Sequence, residues 1–226
     1  MAILGISSAT KTISVGLAED QKLLSELTLA GREAFTEDLI LYIEKLVSES
    51  KTKLTGIAVV VGPGAYSGLR GGLATAKTLA QTLELKIAPV STLEAIAYNL
   101  LDQQGTLIAI TDATREDYNV ALFTSYRGEI SRLTEDLVLS TPRLIELLSA
   151  VTGTFYLAGQ TEQIYAKVQA AHPETRIICA HPQSCHPRGG LVALIGEKLI
   201  AKNETLSPFE ILPKYSHQPN IREFKA

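Results

Sequence analysis

Residues 57–80 read IAVVVGPGAYSGLRGGLATAKTLA, and no other stretch constrains the fold as tightly. An apolar run, Ile57 to Val61, has the composition of a buried strand. It breaks into five glycines within eleven residues, Gly62 to Gly72, and a helix of small residues follows. Strand, glycine loop and helix form a geometry in which backbone N–H groups at a helix N-terminus hold a phosphate. A Walker loop continues into Lys-Ser/Thr, which reach the phosphates and the metal. Here Arg70-Gly71-Gly72-Leu73 stands in that place. The backbone of a nucleotide site is present without its chemistry. Gly62, Gly64, Ser67, Gly68 and Arg70 are the nucleotide-facing candidates. The plainer reading is that the glycines allow positive φ and close packing. Arg70 either serves a phosphate across a subunit boundary or ties down its own loop.

The remaining elements follow from periodicity. Ala2–Ser7 is a short apolar strand, Thr12–Ala18 alternates, and Lys22–Leu29 alternates again after an Asp20-Gln21 turn. A helix is predicted from about Thr36 to 50, with Thr36 as cap and Glu37 and Asp38 near its positive end. The strand at 57–61, a helix at 68–83, a strand at 87–90 and a helix opening at Ser91-Thr92 complete the first half. The chain turns polar at Gln103-Gln104-Gly105 and begins again. Strands are expected at Thr106–Asp112, Tyr118–Tyr126 and Glu129–Leu133. A helix from Pro142 to about Ala150, a strand at 154–158, a helix at 161–171 and a strand at 176–179 follow. Both halves therefore read β-β-β-α-β-α, with no residue-level repeat. The expected architecture is α/β, a duplicated ribonuclease-H-like, actin-like fold, divided into 1–104 and 105–226, the latter ending in a polar tail.

Composition excludes several classes. A net charge of −3 with no basic run argues against a protein that grips nucleic acid unaided. No apolar stretch reaches membrane-spanning length, and MAILGISSAT lacks the features of a signal peptide. Two cysteines point to free thiols in a reducing compartment, so a cytoplasmic location is expected. Cys179, His181, Cys185 and His186 fall within eight residues, but zinc sites more often pair two ligand groups across a longer loop. No metal site is expected. His172 and His217 are expected in solvent, and Asp112 with Glu116 are read as strand-end charges. No G-x-S-x-G elbow or H-E-x-x-H motif occurs.

Two helices invite a different reading. Gly68, Gly72, Ala76 and Ala80 recur at spacing four, forming a ridge of small residues that lets another helix approach closely. In the preceding helix Leu39, Ile43 and Leu46 make one apolar stripe, while Ile40 and Val47 extend a second. A helix apolar beyond its core stripe buries both sides. The pair suggests a helical subunit interface, although packing within the chain explains the ridge too.

The motifs resemble those of the TsaB/YeaZ family of bacterial tRNA threonylcarbamoyladenosine biosynthesis proteins. Gly62-Pro63-Gly64-Ala65-Tyr66-Ser67-Gly68-Leu69-Arg70 is similar to the family's G-P-G-S-F-T-G-x-R. Val90-Ser91-Thr92-Leu93 resembles its V-S-T-L, and Asp112-Ala113-Thr114-Arg115-Glu116-Asp117-Tyr118 its D-A-R-x-x-E-V-Y hairpin. Ile3–Thr10 resembles I-L-A-I-D-T-A-T. The resemblance implies an actin-like fold and a non-catalytic partner of the TsaD-type threonylcarbamoyltransferase. A TsaE-type P-loop ATPase is the third component, and tRNA is met only through the complex. The docking face it implies comprises Leu39, Ile40, Ile43, Leu46, Val47, Leu69, Gly72, Leu73, Ala76, Lys77 and Ala80. No cofactor is expected on the chain alone; ATP or ADP would sit at the complex interface. A homodimer through the same helices is expected when the partner is absent. Two departures remove chemistry: the first-strand Asp is Ser7, a poor ligand for a hard cation, and His-Ser-Glu is Phe35-Thr36-Glu37. The competing reading is an ATP-dependent phosphotransferase or a peptidase of the actin-like superfamily.

Overall fold

A computed structural model describes residues 2–30, 38–113 and 116–216. Its first sheet contains β1 (Ala2–Ser7), β2 (Thr12–Glu19), β3 (Lys22–Ala30), β4 (Leu54–Gly62) and β5 (Lys86–Ser91), in the order β3-β2-β1-β4-β5. The second contains β6 (Gly105–Asp112), β7 (Asp117–Tyr126), β8 (Glu129–Arg132), β10 (Phe155–Gly159) and β11 (Ile177–Cys179), in the order β8-β7-β6-β10-β11. In both, two antiparallel pairings precede two parallel ones, so the duplicated layout holds strand for strand. A further strand, β9 (Leu137–Ser140), pairs with β7. Four residues carry too little alternation to be read from sequence.

The central strands β1, β2, β4, β6 and β7 bury both faces, and helices cover them. α1 (Leu39–Ser50) and α2 (Tyr66–Thr82) pack on one face of the first sheet around Leu4, Ile6, Val15 and Val59. α4 (Thr141–Ser149) and α5 (Tyr165–Ala171) cover the outer face of the second around Ile108, Ile110 and Leu157. Between the sheets lie α3 (Thr92–Ala97) and α6 (Gly189–Ala201). Leu93, Ile96 and Ala97 of α3 pack with Leu107, Ala121 and Phe123 of the second sheet. Val192, Ala193 and Ile195 of α6 pack with Ile3, Ala58 and Val60 of the first. Each half thus lends a helix to the other's sheet.

Periodicity did not indicate α6, because it opens on Gly189-Gly190 and is apolar on most sides. Those glycines suit its place. Added Cβ atoms on Gly5 and Gly16 of the sheet would strike the backbone of Gly189 and Gly190, and one on Gly196 would strike the Ala58 Cβ. Helix and sheet therefore meet almost backbone to backbone. Thr36 and Glu37, read as the start of α1, lie outside the described residues, as does His217. His172 is not a solvated loop residue: its ring meets Phe155 edge-on at 6.2 Å, and its Nε2 is buried.

Candidate functional site

The glycine loop leaves β4 and runs into α2, pressed against the turn between β1 and β2. A Cβ on Gly64 would collide with the Ala9 carbonyl, and one on Gly68 with the Ser8 carbonyl. The Ala65 N–H donates to Ala9 O at 2.8 Å, and the Ser8 hydroxyl donates to Gly68 O at 2.8 Å. Gly62, at φ 127°, faces Lys214, whose carbonyl oxygen occupies the space a Cβ would need. Gly72 is buried against Ser8 and Ile6. Close approach of the chain to itself thus uses four of the loop's glycines. Ser67 is solvent-exposed. Ser7, in place of the expected Asp, is fully buried at the end of β1.

Arg70 ties down its own surroundings. Its Nε donates to the Tyr215 hydroxyl at 3.3 Å, and its guanidinium carbon lies 4.1 Å from the Tyr66 ring centroid. Tyr66 and Tyr215 stack at 5.2 Å with planes 28° apart. The Lys214 N–H donates to Val61 O at 2.7 Å, and the Ser216 hydroxyl bonds Asn119 Oδ1 in the second sheet. Residues 211–216 are a strap across the loop, anchored by the fully buried Ile211. Composition alone makes Leu212 onward a polar tail. In the described part of that stretch the aromatic Tyr215 is the sign of a packed segment; Ile221 and Phe224, the tail's other docking candidates by sequence, lie outside the described residues.

Most of the expected docking face points inward. Leu39, Ile43, Leu46, Leu73, Ala76 and Ala80 join the core between the helices and the first sheet, and Leu69 joins the core on its other face. Gly72 is buried as well. These residues are used in packing within the chain, the small-residue ridge lies against the chain's own strands, and of this group Leu73 also lines a groove beside the strap. Apolar spacing shows that a face is buried without showing against what. On the outside are Ile40 at 46 % exposure, Leu41 at 57 %, Ala74 and Thr78, with Val47 and Lys77 half-buried.

Other candidates resolve into structure. Among the described residues, no group of three or more His, Cys, Asp or Glu is placed to hold a metal. His181 Nδ1 accepts from the Gln183 N–H at 3.3 Å, and the Cys185 thiol donates to the His181 carbonyl at 3.4 Å. Burial pushes both thiols up and the His186 imidazole down. Asp112 ends β6, with its N–H donating to Gln160 Oε1 at 2.7 Å and its carboxyl raised chiefly by burial.

A polar cluster at the junction of the sheets joins Ser91, from the Val90–Leu93 motif, to Glu94, Arg132 and Asp136, which no motif marked. The Ser91 hydroxyl accepts from Leu93 and Glu94 N–H at the start of α3 and donates to the Asp136 carboxylate at 3.0 Å. Arg132 bonds Asp136 at 2.8 Å and lies 3.7 Å from Glu94. Burial raises the Glu94 carboxyl despite Arg132. The capping serine was readable; its long-range partner was not. A cleft of about 370 Å³ lies beside this cluster, lined by Pro63, Asn119, Asp136, Lys214 and Ser216 among others.

Comparison with known proteins agrees with this geometry. The family model described as "TsaD: tRNA N6-adenosine threonylcarbamoyltransferase" matches residues 23–205. The tRNA threonylcarbamoyladenosine biosynthesis protein TsaB of Bacillus subtilis (strain 168) is 23% identical over 201 residues, 88% of each chain. The solved structure of YeaZ from Pseudomonas aeruginosa superimposes with a TM-score of 0.79 at 20% identity, covering 95% of this chain and 99% of that one. A ROK hexokinase from Thermus thermophilus shares the fold at a TM-score of 0.56 and 13% identity, covering 89% of this chain and all of that one (100%). The fold is the actin-like one, and the chain belongs to the family that the threonylcarbamoyltransferase model describes, within it to the TsaB/YeaZ proteins of tRNA threonylcarbamoyladenosine biosynthesis.

Proposed function

We propose that this chain is a non-catalytic subunit that docks on a TsaD-type threonylcarbamoyltransferase through the open side of α1 and α2 and supports its activity. The observation that carries the reading is the pair Ile40 and Leu41, large apolar side chains 46 % and 57 % exposed on a helix whose other face is already buried. Apolar surface of this kind favours burial by a partner. The commitment of the glycine loop and Arg70 to the chain's own packing supports a role without covalent catalysis. A TsaE-type ATPase joins the complex, tRNA is met through it, and ATP or ADP acts at the shared interface. Without the transferase the same face pairs two copies of the chain.

Co-purification with the transferase tests this. Ile40→Asp combined with Leu41→Asp is expected to abolish association and lower tRNA modification while leaving the melting temperature unchanged. Retained association would overturn the docking face. Calorimetry with Mg–ATP on the isolated chain tests the phosphotransferase alternative: binding with turnover would replace the scaffold reading.

A further inference from the structure

α2 and the strap together form a groove that neither makes alone. It is a cavity of about 450 Å³, lined by Arg70, Leu73, Ala74 and Lys77 from α2 and by Leu212, Pro213 and Tyr215 from the strap. Its size suits one or two large side chains. The walls are mostly apolar, and among the described residues Leu212 of the strap stays 67 % exposed, as does Phe209, just before the strap, at 76 %. Two cations, Arg70 and Lys77, stand in the lining, and no acidic side chain does among the described residues. Arg70 hydrogen-bonds a neutral phenol, so its charge is not cancelled by that contact. The groove is also fixed in shape, since Tyr215 is stacked on Tyr66 and bonded to Arg70, and Lys214 is bonded to Val61.

We propose that this groove receives a protein segment in which an apolar side chain stands next to a carboxylate. The inference rests on the docking reading above and assigns the segment to the transferase. The apolar group fills the space between Ala74 and Leu212, and the carboxylate meets Lys77 and Arg70. Charge complementarity of this kind sets specificity and register more than raw affinity. The loop signature then has a mechanical role, because Tyr66 and Arg70 hold Tyr215, which completes one wall of the groove.

Titration of the purified transferase with the full chain, at low and high salt, tests the groove separately from the docking reading. Leu212→Ser and Lys77→Glu alter the groove, and Ile40→Asp alters α1 outside it. Each groove variant is expected to weaken binding about tenfold or more. The Lys77→Glu loss should shrink at high salt as screening grows, and melting temperatures should match the parent chain. If the parent binds and Ile40→Asp weakens it while both groove variants bind like the parent, the groove is overturned and the docking reading stands. If the parent does not bind, the docking reading fails and the groove falls with it. If the groove variants lose only self-association in sedimentation, the occupant is a second copy and the proposal is overturned.

Discussion

Gly62 and Gly128 both hold positive φ, at 127° and 77°, yet they sit in different surroundings. Nothing lies within 4 Å of a Cβ placed on Gly128, whereas one on Gly62 meets the Lys214 carbonyl. Gly128→Ala is expected to cost only the backbone penalty, about 1–2 kcal/mol. Gly62→Ala must also displace the strap and should cost about 3 kcal/mol or more. Urea unfolding of the two variants decides; equal losses would show that the strap does not press on the loop. Glu94 offers a test with a sign. Burial, opposed by Arg132 and helped by Asp136 and Glu204, raises its folded pKa. A carboxyl raised in the folded state binds protons more readily there than in the unfolded chain. Its stabilisation is complete below the unfolded value and is lost as pH rises through the folded one. The stability of the parent chain minus that of Glu94→Gln should therefore fall as pH rises through that window. A difference that is flat, or that grows with pH, would refute the burial effect.

The most consequential element for the fold, α6, is the one least legible in the chain. Strands β1, β2, β4, β6 and β7 announced themselves by apolar runs and alternation, and α2 by its glycine approach. α6 gave no amphipathic stripe because the helix is sandwiched: the sheet lies beneath it and α3 beside it. Its fit depends on glycines far apart in sequence, and only the fold brings Gly5 to Gly189 and Gly16 to Gly190. The site behaved likewise. The loop signature was readable, but the strap that covers it comes from residues 211–216, and Asp136 reaches Ser91 across 45 residues. Gly5→Ala should push α6 off the sheet and cost about 3 kcal/mol or more, enough to lower expression as folded protein. A milder break lies at the other end of the same contact. Glu197 on α6 accepts the Asp20 and Gln21 N–H groups at 2.7 Å, holding the β2–β3 turn. Glu197→Ala is expected to cost about 1 kcal/mol, the scale of a solvent-accessible hydrogen-bond set. Hydrogen exchange should quicken at those two amides and not at β1. Quickening throughout the sheet would mean that the turn is an anchor of the whole half.

At the scale of the molecule, the exchange of helices sets how the chain unfolds. Two sheets in one chain invite the expectation of two independent folding units. Here α3 follows β5 of the first sheet but packs on the second, and α6 follows the second sheet but packs on the first. Neither sheet keeps its inner face covered if the other melts, so opening one exposes apolar surface on both. Polar ties act in the same sense: Ser91 to Asp136, and Ser216 to Asn119. The chain is therefore expected to unfold in one cooperative step, with calorimetric and van't Hoff enthalpies in agreement. Ser91→Ala makes the test sharper. It removes the cap of α3, a loss of about 1–2 kcal/mol, and with it the hydroxyl that joins α3 to Asp136. Because α3 is wedged between the sheets, the variant should lower hydrogen-exchange protection in β4 and in β6 by the same amount while keeping a single transition. If β6 loses protection alone, or a second transition separates in the scan, the exchanged helices do not couple the halves. The docking face on α1 and α2 would then belong to a unit that folds without the rest.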